Sequence, residues 1–210
     1  MLGATAAGLL ALFGGFGLPL LFGLCWLTLL VWQAASLAGR IRRAHTHGMW
    51  DLLLAAPFSR RELLLSTWAG SFWELYPGRL VMLYRLLQAL AVTAIIVVGA
   101  LLPAFPLHYG PLVVLAGVVA ILAQPAAELY LSGMAGLWCG VALRGHTGAL
   151  ALAVGAMVLY WAAVLGGVLL LFTDPESLGL AHILAALLLP TLAPLALGAG
   201  ALHAAERALH

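Results

Sequence analysis

Long apolar runs separated by short polar breaks make up most of this chain. About twenty predominantly apolar residues form a helix that crosses roughly 30 Å of hydrocarbon at about 1.5 Å per residue. Five stretches have this character: residues 19–38, 79–102, 111–143, 149–172 and 178–206. The pattern therefore predicts five membrane-spanning helices.

Residues 1–18 form a shorter apolar stretch, MLGATAAGLLALFGGFGL, which contains several glycines. Glycine costs a helix interior about 1 kcal/mol relative to alanine, so the prediction for this stretch is open. It forms a short sixth span, a re-entrant element or an extension of the first helix. Six spans would place the N-terminus and the C-terminus on the same side of the membrane.

Prolines indicate where the predicted helices end or bend. Pro103 and Pro106 end the second span, and Pro125 lies inside the third. The third stretch has 33 residues, about 50 Å of helix, which is longer than one upright crossing requires. We therefore expect a kink at Pro125 and a bend at Pro190 and Pro194 in the last span.

Composition supports an all-α polytopic membrane protein. Hydrophobic residues make up 65% of the 210 positions and charged residues 8%, proportions beyond those of a soluble domain with one core. We expect a single transmembrane domain over residues 1–210. Its one sizeable polar insertion, residues 40–78, is predicted to be a cytoplasmic helix-elbow-helix.

The basic residues predict the orientation. One choice of side places every arginine in the cytoplasm or at its boundary, as the positive-inside rule requires, and places Asp174 and Glu176 outside. We therefore expect a multi-pass protein of the plasma or inner membrane with a cytoplasmic C-terminus. The nine arginines are Arg40, Arg42, Arg43, Arg60, Arg61, Arg79, Arg85, Arg144 and Arg207.

The polar insertion contains two short predicted helices joined by a bend. GMWDLLLAAP predicts a short helix that Pro57 ends, because proline disfavours helical geometry in the residue before it. Ser59 stands three residues before Glu62, the spacing of a capping box at the start of a second helix. Met49, Leu52, Leu53 and Ala56 share one face of the first helix, which we expect to hold the elbow against the membrane.

Two interpretations of this elbow follow from its residues alone. A charged, rigid corner at the inner surface is suited to receive force from a soluble partner. An amphipathic hairpin lying on lipid headgroups, with arginines on phosphates, is the other interpretation.

The stretch HGMWDLLLAAPFSRREL resembles the pattern G-T-x-E-x-L-L-x-x-P-x-S-R-x-E of the type-2 permeases of ATP-binding-cassette (ABC) transporters. SGMAGLWCGVALRGHTGALAL is similar to the inner end of a span and the basic turn in that family. The chain thus resembles a divergent member. The residues that match the first pattern are Gly48, Asp51, Leu53, Leu54, Pro57, Ser59, Arg60, Arg61 and Glu62.

The resemblance implies a transmembrane permease subunit of an exporter that pairs with a second permease, identical or paralogous. It also implies that the elbow docks on a separate ABC ATPase subunit through Gly48, Asp51, Pro57, Ser59, Arg60, Arg61 and Glu62. The chain has no G-x-x-x-x-G-K-[ST] motif, so we expect ATP and Mg²⁺ on the partner and no cofactor here. A heme or cytochrome-maturation exporter subunit and a non-transporting structural subunit of a membrane complex are the alternatives.

Polar residues inside the spans are the remaining candidate sites. Glu128 and Gln124 lie one turn apart beside Pro125. An ionisable group at membrane depth indicates function by default, whereas the structural alternative is a protonated Glu128 bonded to Gln124 or to a carbonyl freed by Pro125. His182 is a weak candidate for contact with heme or a proton.

Ser132, Gly136 and Gly140 recur every fourth residue and predict close helix packing, within the chain or across a dimer.

A set of aromatic residues near the inner boundary predicts membrane anchors: Trp50, Trp68, Phe72, Trp73 and Tyr76. We find no catalytic triad, no metal-ligand spacing and no support for nucleic-acid binding. Membrane lipid is the expected partner of the arginines.

Overall fold

A computed structural model describes residues 18–55, 57–72, 79–101, 110–143, 145–173 and 180–209. All secondary structure in these ranges is α-helical, as the sequence predicted. The helices are α1 (Leu18–Thr46), α2 (Met49–Leu54), α3 (Arg60–Ser71), α4 (Arg79–Leu101), α5 (Gly110–Ala142), α6 (His146–Thr173) and α7 (Leu180–Ala208).

Within the described residues, four helices are long and apolar enough to cross a membrane, which indicates a multi-pass membrane protein. Five spans were predicted, so the structure confirms the helical membrane architecture without confirming that number. Of the candidate sixth span, residues 1–18, the first 17 lie outside the described residues and Leu18 begins α1. The four segments, within α1, α5, α6 and α7, are Leu21–Thr46, Leu115–Ala142, Thr147–Val164 and Leu188–Ala208.

Helices α1 and α5 pack side by side in the same direction. The Ser132 hydroxyl donates to the Leu30 carbonyl over 2.6 Å. One turn further along each helix, Gly136 lies against the Ala34 backbone, whose carbonyl oxygen occupies the space that a Cβ at Gly136 would need. Since Gly140 continues this contact with α1, the small-residue stripe packs within the chain.

Helix α7 packs along α5, also in the same direction. Thr191 donates to the Ala120 carbonyl over 2.8 Å, and further along both helices Gly198 lies against the Tyr130 ring. Helix α5 also contacts α3, α4 and α6. It is therefore the central helix, and the ends of α1, α5 and α7 lie at one end of the bundle.

Helix α1 continues about two turns past residue 38, where the first span was predicted to end. The sequence prediction placed the basic cluster after the span, whereas Arg40, Arg42 and Arg43 form its last helical turns. Arginine is a good helix former, and positive charge is favourable near a helix C-terminus, which explains the extension. Arg207 lies in the last turn of α7, at the same end of the bundle. We call this end the basic end.

Candidate functional site

The elbow begins with a tight turn after α1. Gly48 has a φ of +68°, a left-handed backbone that other residues adopt at a cost of about 1 kcal/mol or more. The His47 N–H donates to the Arg43 carbonyl, and the Gly48 N–H donates to the His45 carbonyl. These hydrogen bonds close the end of α1 and allow α2 to begin at once with Met49.

The capping box predicted at the start of α3 is present. Ser59 Oγ accepts a hydrogen bond from the Glu62 N–H over 3.2 Å, and Glu62 Oε2 accepts one from the Ser59 N–H over 2.8 Å. The Ser59 hydroxyl donates to the same carboxylate oxygen. These Ser59 hydrogen bonds hold the pKa of Glu62 below its ordinary value. The direction in which α3 leaves the corner is therefore fixed locally.

One side of the elbow is packed into the basic end of the bundle. Trp50 of α2 is 2% exposed, and Leu63 and Leu64 of α3 are also buried. The prediction that Trp50 anchors the protein in the membrane interface is therefore wrong, because its ring packs inside the protein. The elbow residues contact α1, α5 and α7 in one apolar cluster, whose other buried members are Leu37, Ile41, Met134, Leu137, Leu202 and Ala205.

The opposite side of the elbow is apolar and exposed. Leu52 is 74% exposed and Phe58 64% exposed, and Met49 and Leu53 are exposed as well. We call these four residues the exposed elbow face. The predicted leucine face of α2 thus points away from the bundle, and Trp50 on the other side holds the elbow in place.

Arg60 and Arg61 do not share one environment at the corner. Arg60 is half-buried, whereas the Arg61 side chain is 69% exposed and lies 3.9 Å from a carboxylate oxygen of Glu206 on α7. This ion pair ties the start of α3 to α7. Pro57 is exposed between the two helices, and Asp51 lies in α2 with its side chain outside the described residues.

Helix α3 continues from the corner along α1 and α5. The Trp68 indole occupies the space that a side chain at Gly133 would need, and it makes edge contacts with Tyr130. At the end of α3, Gln33 Nε2 donates to Ser71 Oγ over 3.5 Å. Trp68, predicted to be a membrane anchor, therefore packs against α5. Trp73 and Tyr76, predicted with it, lie outside the described residues.

A second polar site lies inside the bundle around Glu128, which is 1% exposed. Its Oε2 accepts a hydrogen bond of 2.5 Å from Trp26 Nε1 on α1. Its Oε1 accepts one of 2.8 Å from Gln124, one turn earlier on α5. The predicted bond between Gln124 and Glu128 is thus present, and Trp26 is an additional partner from another helix.

Arg85 of α4 completes this site. Its Nη2 lies 3.7 Å from Glu128 Oε1, and its guanidinium carbon is 6.0 Å from the centre of the Trp26 ring. Arg85 was expected in the cytoplasm or at its boundary, but its side chain is only 20% exposed and lies beside Glu128. A buried carboxylate and a guanidinium stabilise each other's charge, which explains the difference.

The cluster of Trp26, Arg85, Gln124 and Glu128 therefore joins α1, α4 and α5. All three partners present hydrogen atoms or positive charge to the Glu128 oxygens, which is the arrangement that an ionised carboxylate needs. The structural alternative, in which a protonated Glu128 bonds to Gln124 or to a freed carbonyl, did not include Arg85 as a partner. The sequence contained the signal, an isolated acid and an isolated base in separate apolar stretches. It did not show that the two meet.

His182 lies near the start of α7, and its side chain is outside the described residues. No protein-family model, curated protein or solved structure matches the chain. The elbow and the buried cluster are therefore the features of the chain that bear on its function.

Proposed function

We propose that the chain is the transmembrane permease subunit of an ABC-type exporter. It pairs with a second permease subunit, identical or paralogous, within the plasma or inner membrane. ATP hydrolysis on a separate ATPase subunit drives its movements, and the substrate moves outward. In this proposal residues 1–210 form a single transmembrane domain, and α4 is a fifth span.

The elbow is the observation that carries this proposal. It is attached to the bundle on one side by Trp50, Leu63 and Leu64, while Leu52 and Phe58 on the other side are exposed. In this proposal the exposed elbow face lies against a partner and not, as was expected from the sequence, against the membrane, and its burial is worth about 25 cal/mol per Å² of apolar surface. The similarity of HGMWDLLLAAPFSRREL to the type-2 permeases supports an ATPase as that partner.

The contacts of the elbow provide a route for motion into the membrane. Leu64 packs in one cluster with Met134 of α5 and Leu202 of α7. Because packed interiors resist compression, a displacement of the elbow moves the adjoining ends of α5 and α7. Glu128 then couples α5 to α1 and α4 through Trp26 and Arg85.

The arginines support a cytoplasmic position for the elbow. Arg42 and Arg43 at the end of α1, Arg61 at the start of α3 and Arg207 at the end of α7 all lie at the basic end. Positive residues flanking spans favour the cytoplasmic side. The proposed orientation therefore places the elbow where a soluble ATPase can reach it and places the C-terminus in the cytoplasm.

Association with the ATPase tests this function. We would purify the chain with the ATPase encoded beside it, identified by a G-x-x-x-x-G-K-[ST] motif, and measure the affinity of the two proteins in lipid nanodiscs. Replacing Leu52 and Phe58 together by alanine should weaken binding at least about tenfold, since exposed anchors carry most of the energy of an interface. The matched control replaces Leu80 and Leu83, exposed leucines of α4, in the same way and should bind normally.

The result that would contradict the proposal is equal ATPase binding by both double variants. The main alternative is a structural subunit of a larger membrane complex with the elbow as a protein-docking foot. That alternative predicts stable co-purification with chains that lack the ATP-binding motif. It also predicts no effect of the elbow variants on ATP hydrolysis.

A further inference from the structure

An open cavity lies at the basic end between α1 and the start of α6. Its volume is about 480 Å³, within the range of roughly 300–1,000 Å³ typical of small-molecule sites. Small residues of α1, Ala35, Ser36 and Gly39, line it together with Leu150 of α6. The absence of large side chains on this part of α1 leaves room for a ligand between the two helices.

Arg42 and Arg43 line the same cavity. Arg43 is exposed, and its guanidinium makes no ion pair or hydrogen bond with the part of the chain that the structure describes. Two carboxylates at this end, Glu62 and Glu206, have partners elsewhere, Ser59 and Arg61 respectively. The Arg43 guanidinium therefore presents positive charge to a ligand in the cavity.

The hydroxyl groups in the cavity complement that charge. The Ser36 hydroxyl donates to the Gln33 carbonyl over 3.0 Å, and the Thr46 hydroxyl donates to the Arg43 carbonyl over 2.9 Å. Since both protons are engaged, the hydroxyl oxygens face a ligand as acceptors. The guanidinium groups suit a phosphate, which accepts hydrogen bonds, and the hydroxyl oxygens suit a ligand that also carries hydroxyl donors.

We propose that this cavity binds a phosphate-bearing headgroup with hydroxyl substituents, such as the phosphoglycerol of an anionic glycerophospholipid. Arg43 holds the phosphate, while Ser36 and Thr46 accept from the hydroxyls. The arginines follow the apolar part of α1, at the level where lipid headgroups meet a span, and basic pockets between spans favour anionic lipid. This inference does not depend on the proposed permease function.

Native mass spectrometry of the purified full chain tests the site. We would titrate the protein with phosphatidylglycerol, with phosphatidylcholine as the zwitterionic comparison. We expect phosphatidylglycerol to bind at least tenfold more tightly. Replacing Arg42 and Arg43 together by glutamine should remove that preference, whereas Arg207→Gln, at the same end but outside the cavity, should keep it.

A steric variant separates the cavity from general surface charge. Ala35→Leu fills the cavity and leaves every charge in place, so it should weaken phosphatidylglycerol binding at least tenfold. Circular dichroism verifies that each variant is folded. Arg43→Gln alone, at an exposed position, replaces the double variant if the latter fails to fold, and it should lower the affinity severalfold.

Competition by soluble glycerol phosphate distinguishes a membrane lipid from a soluble phosphate ester as the ligand. If it fails to compete at millimolar concentration, the ligand is membrane lipid. If it competes and its binding is lost in Ala35→Leu, the same site takes a soluble phosphate ester. Equal binding of the two lipids by the unmodified protein, or unchanged phosphatidylglycerol binding in Ala35→Leu, would overturn the proposal.

Discussion

Replacing either member of the Arg85–Glu128 pair should strongly destabilise the helical bundle. Glu128 is 1% exposed, and its carboxylate lies 3.7 Å from the Arg85 guanidinium. At that separation two unit charges attract by about 4 kcal/mol at an effective dielectric constant near 20, before desolvation is subtracted. Glu128→Gln leaves the Arg85 guanidinium without its anionic partner. Arg85→Gln likewise leaves the Glu128 carboxylate without its cationic partner.

The expected cost of each single change is about 3–5 kcal/mol, which is the cost of leaving a buried charge uncompensated. An unpaired charge at the centre of a span costs about 2.5–3.5 kcal/mol on insertion scales, so two independent estimates agree. The double variant Arg85→Gln/Glu128→Gln removes both charges together. It should lose less stability than the sum of the two single variants, by at least about 1.5 kcal/mol.

Unfolding in lipid bicelles by titration with a denaturing detergent, followed by circular dichroism, measures these free energies. Gln88→Ala is the control, because it removes the 3.0 Å hydrogen bond that Arg85 donates to Gln88 and keeps the ion pair. It should cost about 1 kcal/mol. Single-variant costs that add within about 0.5 kcal/mol in the double variant would refute the coupling of α4 to α5 through this pair.

Three further changes test the elbow and the helix contacts. Gly48→Ala should destabilise the protein by about 1 kcal/mol in thermal unfolding, because its left-handed backbone is strained for alanine although the space around it is open. Ser59→Ala should cost about 1 kcal/mol at neutral pH. Because folding lowers the pKa of Glu62, the stability lost in Ser59→Ala should be greatest at pH values above the ordinary pKa of glutamate. This loss should shrink as the pH falls through the pKa of Glu62 in the folded protein. A loss that does not change with pH would contradict the capping box. Gly136→Ala should cost about 3 kcal/mol through contact with the α1 backbone, whereas Gly155→Ala, in open space, should be neutral or stabilising.

Local features of the fold were predictable from the sequence. The capping box at Ser59 and Glu62 needs only two residues three apart, and both of its hydrogen bonds are present. The helical nature of the apolar runs follows from their length, and Pro125 lies within a continuous helix. These features depend on neighbours in the chain, which a sequence displays directly.

Contacts between distant segments were not predictable in the same way. Tryptophan is typical of interfacial anchors, but the burial of Trp50 depends on its packing against α1, α5 and α7. Arg85 lies in α4, and its pairing with Glu128 depends on the register of that helix against α5. Apolar periodicity does not specify this register, since most faces of these helices are apolar.

Photo-crosslinking from the exposed elbow face tests whether an ATPase docks there. A photoreactive amino acid would replace Leu52, with Leu83 on α4 as the matched position, and mass spectrometry would identify the crosslinked chain in native membranes. We expect position 52 to crosslink to a chain with the G-x-x-x-x-G-K-[ST] motif and position 83 not to do so. Crosslinks from position 52 only to lipid, or only to chains that lack this motif, would show that the elbow does not dock on an ATPase.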